Sequence, residues 1–97
     1  MKRVEAESVG DVLRRAIEEE NLTEKLLETR ACALWPRVVG QYIAARSSKP
    51  VMRRGIMTVA VAAASLRNDL DMSRSSIIKI INSTLGRDVV RDIRFIS

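Results

Sequence analysis

Hydrophobic residues follow a helical period in two long stretches of this chain and alternate in a shorter one. At the N-terminal side, five apolar residues recur at the spacing of one helix face: Val9, Val12, Leu13, Ala16 and Ile17. The same spacing returns further along in Leu66, Leu70, Ile77, Ile81 and Leu85. From Ile56 to Ala62 the side chains instead alternate, which is the period of a strand. Helices and strands in one short chain predict an α+β fold.

Capping residues and Pro36 predict where the first helices begin and end. Ser8 followed by Asp11 resembles a capping box and opens a helix over residues 9–20. Asn21 with Glu24 repeats that signal and opens a second helix. Pro36 predicts a kink or a break, because proline donates no backbone hydrogen bond. If the helix breaks there, residues 36–45 form a short separate piece.

The second half of the chain reads as a hairpin, a long helix and a last strand. Strands are predicted over residues 51–54 and 56–62, with Arg54-Gly55 as the turn. One long helix capped by Ser65 should end at Gly86, with residues 71–73 as a less favoured point at which it could split. Residues 89–96 form the last strand. The inward side chains are Met57, Val59, Val61, Ile93 and Phe95. We therefore expect the order ααββαβ and a three-stranded sheet with helices on one face.

Length and cysteine content predict one domain in a reducing compartment. The 97 residues suit a single domain over 1–97, with residues 1–7 as a flexible N-terminus. We expect no secretory signal, because that N-terminus is charged, and no apolar run is long enough to cross a membrane. Cys32 is the one cysteine, so intrachain disulfides are excluded and a cytoplasmic location is expected.

The chain contains no histidine, which argues against catalysis and metal binding. Histidine is the commonest general base and the commonest metal ligand. Without it, Cys32 has no activating partner and reads as a buried, inert thiol. The run Glu18-Glu19-Glu20 is more typical of a solvated helix end, or of an acidic patch for a basic partner, than of a catalytic carboxylate pair. We expect no enzyme activity, cofactor, metal or small-molecule substrate.

Positive charge is concentrated in the last two thirds of the chain. The net charge is +5, yet residues 1–30 carry −2 and residues 31–97 carry +7. A basic surface on a chain of pI about 10.1 is suited to phosphate contact, although it could also serve only solubility. The candidate nucleic-acid-binding residues are Arg46, Lys49, Arg53 and Arg54 around the hairpin, with Arg67, Arg74 and Lys79 on the third helix. Arg91 and Arg94 could serve only to prevent an edge strand from pairing with another chain.

One segment resembles a known family. The residues Trp35-Pro36-Arg37-Val38-Val39-Gly40 are followed by Gln41-Tyr42-Ile43-Ala44, by the hairpin around Arg54-Gly55, by Leu66 and Leu70, and by Val90-Arg91-Asp92-Ile93-Arg94-Phe95. This succession over residues 20–97 resembles the DciA family. The resemblance implies a KH-like domain and a role in bacterial DNA replication, with DNA and the replicative helicase as partners.

The chain departs from the pattern of this family in three places. Many members carry a tryptophan where Leu66 stands, many carry a basic C-terminal extension where the sequence ends at Ser97, and the G-x-x-G loop of RNA-binding KH domains is absent. Trp35 is a candidate partner contact, although packing at Pro36 is the favoured interpretation. Two other functions stay open, a protein–protein adaptor and an RNA-binding module, the latter disfavoured because stacking aromatics are missing.

Overall fold

The computed structural model describes residues 8–97, and the predicted flexible N-terminus, residues 1–7, lies outside this range. Within it the chain forms an α+β fold, as expected. The elements in chain order are α1 (Val9–Val39), α2 (Gln41–Ala45), β1 (Val51–Arg53), β2 (Ile56–Ala60), α3 (Ala64–Met72), α4 (Arg74–Leu85) and β3 (Asp92–Ile96). No helix in the described range is long and apolar enough to cross a membrane.

The first helix is continuous, so the two predicted helices are one. Ser8 caps it as expected, its hydroxyl accepting from the Asp11 N–H at 3.1 Å. Asn21 lies inside α1, because the good helix formers on both sides of it extend the helix past a purely local capping signal. Pro36 also lies inside α1, in its last turn. The break falls at Gly40, whose φ is 90° and whose N–H donates to the Pro36 carbonyl.

The three strands form one mixed sheet in the order β1-β2-β3. β1 and β2 are antiparallel and join through Arg54-Gly55, where both residues have positive φ, 50° and 83°. This is the conformation of a tight hairpin turn that follows the twist of the strands. β3 lies parallel to β2, with Met57 opposite Ile93. A parallel neighbour requires a crossover connection, which α3 and α4 supply.

The predicted long third helix is divided at Ser73 into α3 and α4, so the favoured continuous helix is wrong. Ser73 has φ −96° and ψ 6°, outside regular helix geometry. The break lets α3 pack on β3 and lets α4 pack on both β3 and α1. The predicted Ser65 cap is also wrong, because the N-cap residue is Ala63. Gly86 ends α4 in the left-handed conformation with φ 76°, as expected.

The core lies between the helices and one face of the sheet. Its buried members are Ala31, Trp35, Met57, Val59, Val61, Leu70, Ile77, Ile81, Val90 and Ile93. The inward positions predicted on β2 are confirmed, and Ile93 is confirmed on β3. Phe95 is partly buried and packs against this core. Among residues 8–97 the buried side chains of the strands all lie on the side of the sheet that faces the helices, and those of the opposite face are exposed or partly exposed.

Candidate nucleic-acid interface

The hairpin turn is held in place by a helix and by the segment before β3. The Gly55 N–H donates to the Glu28 carboxylate of α1 at 3.1 Å. The Arg91 guanidinium donates to the Arg54 carbonyl at 3.0 Å and lies over Gly55. A Cβ atom at Gly55 would approach the Arg91 Nε to 2.8 Å. Glycine at this position therefore permits both the positive φ and the close approach of Arg91.

The turn is less basic than the sequence suggests. Between Glu28 and Asp69 the sequence has no acidic residue that could neutralise Arg53 and Arg54 locally. In the structure Glu28 contacts the turn itself. Glu24 and Glu28 line a cleft together with Arg54. The two carboxylates offset part of the positive charge at Arg54.

The structure separates Lys49 and Arg46 from the hairpin turn. Both precede β1, at the end of the sheet opposite Arg54-Gly55. Ser47 there pairs with Val61, which follows β2. The Arg46 guanidinium lies 3.7 Å from the centre of the exposed Tyr42 ring and donates to the Tyr42 carbonyl. The four candidate residues around the hairpin are therefore divided between its two ends, with Arg53 and Arg54 at the turn and Arg46 and Lys49 before β1.

Arg67 and Arg74 are both engaged by groups of the protein. Arg67 is partly buried and donates to the Val61 carbonyl at 2.7 Å, at the end of β2. Arg74 lies 3.4 Å from the carboxylate of Asp71 and 3.8 Å from that of Asp92. Both arginines thus already face carbonyl or carboxylate oxygens within the fold, and they have fewer N–H groups left for a phosphate than an exposed arginine without such partners has.

The strand register brings two exposed arginines to the uncovered face of the sheet. One row across that face is Val51, Thr58 and Arg94, and the next is Arg53, Ile56 and Asp92. Arg53 and Arg94 are both exposed. We name this uncovered face the open face and define it by the six residues of these two rows. From the sequence alone Arg94 is only a charged residue on an edge strand, because the order β1-β2-β3 is needed to show that it shares a face with Arg53.

Trp35 lies in the core, with 1% of its surface exposed. Its indole N–H donates to the Ser47 hydroxyl at 3.0 Å, and its ring centre is 6.2 Å from that of Phe95. These contacts support the packing interpretation of Trp35. They leave almost no surface of this side chain for a partner.

Cys32 is partly buried, and not fully buried as the sequence predicts. Burial raises the pKa of the Cys32 thiol, the Glu28 carboxylate raises that pKa further, and a hydrogen bond with the Met52 backbone lowers it in part. The thiol is therefore protonated at neutral pH. No group of three or more cysteine, aspartate and glutamate side chains that could hold a metal ion occurs among residues 8–97.

A protein-family model matches most of the chain. The matching family is described as Dna[CI] antecedent, DciA, and the match runs over residues 8–95. It spans every helix of the described range and all of the sheet except Ile96, the last residue of β3. A search of the curated proteins finds no match.

Proposed function

This chain belongs to the DciA family, and we propose on that basis that it is a non-catalytic, DNA-binding accessory of the replicative helicase in the bacterial cytoplasm. The family is linked to helicase loading in DNA replication. The chain's own contribution follows from its charge and its open face. Its net charge of +5 favours a polyanionic partner.

The architecture of residues 8–97 supports the proposal of a KH-like domain. Two helices, a hairpin, a helical crossover and a last strand follow one another around one core. The G-x-x-G loop by which an RNA-binding KH domain clamps the backbone is absent from the sequence. The proposal therefore assigns nucleic-acid contact to the open face and not to a glycine-rich loop.

The observation that carries DNA binding is the pair Arg53 and Arg94 on the open face. Neither guanidinium forms an ion pair with any residue in the range 8–97. The Asp92 carboxylate on the same face is engaged by Arg74 and by the Ile93 N–H. Exposed guanidinium groups on a flat, partly apolar surface are suited to phosphate oxygens on a strand laid across it. Lys49 and Arg46 extend the positive charge at one end of the sheet.

A salt titration of DNA binding tests this assignment. Replacing Arg53→Ala together with Arg94→Ala removes two phosphate contacts, so the slope of log affinity against log salt should fall by about two units. The loss should be similar for all DNA sequences. The control is Arg30→Ala with Arg37→Ala, which removes two exposed charges from α1 in the helical layer. Equal slopes for the open-face variant and the wild type would overturn the assignment.

Arg54→Ala provides a graded comparison within the same hairpin. Because Glu24 and Glu28 line a cleft with Arg54, its loss should weaken DNA binding less than the loss of Arg53. An equal or larger effect of Arg54→Ala would place the DNA surface at the turn instead.

The helicase part of the proposal needs a separate measurement. The replicative helicase of the same organism should be retained on the immobilised chain, and the open-face variant should retain it equally well. Retention of the helicase without any DNA binding would instead identify a protein–protein adaptor. Failure to retain the helicase would contradict the partnership.

A further inference from the structure

One of the three aromatic residues of this chain is exposed to solvent. The aromatic residues are Trp35, Tyr42 and Phe95. Trp35 is buried and Phe95 packs against the core, whereas Tyr42 is 66% exposed. An unpaired base is bound in large part by stacking on an exposed aromatic ring. The structure thus supplies a stacking aromatic that the sequence does not identify.

The break between α1 and α2 positions Tyr42 on the solvent side of the fold. Gly40, with φ 90°, ends α1, and α2 begins at Gln41. The next two residues of α2 after Tyr42, Ile43 and Ala44, are partly buried and pack against the core. Because those two side chains anchor the inner side of α2, the Tyr42 ring is left on its outer side.

The Arg46 guanidinium lies over the Tyr42 ring. Its Cζ atom is 3.7 Å from the centre of the ring, and its Nη1 donates to the Tyr42 carbonyl at 3.1 Å. The cation–π contact and the hydrogen bond together hold the exposed guanidinium against the ring. Bases stack on arginine guanidinium planes as well as on aromatic rings. Tyr42 and Arg46 therefore present one joint surface that is suited to the face of a base.

The positive charge beside this pair is suited to the phosphate next to a stacked base. Lys49 is exposed and follows Arg46 by three residues, a backbone span of at most about 11 Å. Among residues 8–97 neither Arg46 nor Lys49 forms an ion pair, and the Tyr42 hydroxyl has no hydrogen-bond partner. A stacking aromatic next to free positive charge is the combination by which proteins bind single strands.

We propose that Tyr42 and Arg46 form a stacking site for an unpaired base of single-stranded DNA, with Lys49 contacting the adjoining phosphate. The site depends on the proposed DNA binding of the chain and specifies which form of DNA it takes. In a duplex each base is stacked between its neighbours, so its face is not accessible to Tyr42. The arginines of the open face would contact phosphates of either form, whereas the stacking site selects the single strand.

Binding of three probes tests the stacking site: a single-stranded oligodeoxynucleotide, its blunt duplex, and a strand of the same length without bases. Tyr42→Ala should weaken binding of the single strand about 5- to 150-fold, the range for one stacked base. Its binding of the other two probes should equal that of the wild type. Tyr42→Phe is the matched control, because it keeps the ring, and should bind all three probes like the wild type. A melting curve shows that each variant is folded.

Arg46→Lys separates stacking from charge, because it keeps the positive charge and removes the planar guanidinium. It should weaken binding of the single strand while the slope of log affinity against log salt stays that of the wild type. Equal affinity of Tyr42→Ala and Tyr42→Phe for the single strand would refute the stacking site, and so would an equal loss on all three probes. Either result leaves DNA binding by the open face intact. A wild type that binds none of the probes would contradict the proposed DNA binding itself.

Discussion

Asn82 ties the loop before β3 to α4, and its replacement by alanine tests how that loop is held. Its Oδ1 accepts from the Val89 and Val90 N–H groups at 3.0 and 2.9 Å. Its Nδ2 donates to the Val90 carbonyl at 2.9 Å. Val90 is 1% exposed, so water does not readily replace these partners. Asn82→Ala would leave up to three polar backbone groups without a side-chain partner.

The expected loss of stability follows from these three hydrogen bonds. At about 0.5–1.5 kcal/mol each, they contribute about 1.5–4.5 kcal/mol to the free energy of unfolding. Alanine is the better helix former by up to about 0.7 kcal/mol, which offsets part of the loss. We expect Asn82→Ala to lower the free energy of unfolding by about 1–4 kcal/mol. Ser83→Ala, at the exposed neighbouring position in α4, should leave it unchanged or slightly higher.

Urea unfolding monitored by tryptophan fluorescence measures this difference. Trp35 is the one tryptophan of the chain and is buried, so its emission changes when the core opens. Equal m-values for the wild type and the variants would show that the comparison concerns stability alone. An Asn82→Ala value within about 0.5 kcal/mol of Ser83→Ala, the range of surface substitutions, would refute the reasoning.

Hydrogen exchange locates the effect within the loop. Asn82→Asp keeps an oxygen that can accept from the Val89 and Val90 N–H groups and loses the donor to the Val90 carbonyl. The two amide protons should therefore stay protected in Asn82→Asp and exchange faster in Asn82→Ala. The same protection in both variants would show that another group holds the loop.

Three further predictions follow from the core, the thiol and the proposed absence of catalysis. Ile77 is 7% exposed, so Ile77→Ala should lower the free energy of unfolding by about 2–5 kcal/mol. Ile80 is 50% exposed, and Ile80→Ala should change that free energy by about 0.5 kcal/mol or less. Equal urea midpoints for the two variants would contradict the core assignment. Because the pKa of the Cys32 thiol is raised, iodoacetamide should alkylate it more slowly at neutral pH than it alkylates free cysteine. Glu28→Gln should lower this pKa and speed the reaction. An alkylation rate unaffected by Glu28→Gln would argue against the contribution of the Glu28 carboxylate to the raised pKa. Nuclease and ATPase assays with magnesium should show no turnover; activity that disappears in a point variant would contradict the non-catalytic proposal.

The helix boundaries show where local sequence signals were insufficient. Asn21 with Glu24 has the form of a helix start, and Pro36 has the form of a helix break, yet both lie within α1. The capping signal describes only four residues and competes with the helix-forming residues on either side. Pro36 lies in the last turn, so the one hydrogen bond that it cannot donate, to the carbonyl of residue 32, is lost close to the helix end. At Ser73 the sequence predicts one continuous helix where the structure has two. Packing on two different elements divides the chain there into α3 and α4.

Local sequence signals were also insufficient to predict the candidate nucleic-acid interface. Arg53 was identified from charge and from its place in the hairpin, which are local properties. That Glu28 contacts the Gly55 N–H could not be read from the sequence, because the two residues are 27 positions apart. The shared face of Arg53 and Arg94 depends on the pairing of β2 with β3. No pattern within either segment specifies that neighbour.

The sequence alone determined those features of this protein that depend on near neighbours along the chain. These are the helical and alternating periods, the turn at Arg54-Gly55, the end of α4 at Gly86 and the inward face of β2. The tertiary structure alone decided which arginines remain available to a partner. Arg67 and Arg74 contact oxygens of the fold, whereas Arg94 lies on the open face together with Arg53. The reason is physical: periodicity and turn geometry arise from the backbone within a few residues, whereas ion pairing and strand order arise from contacts through space.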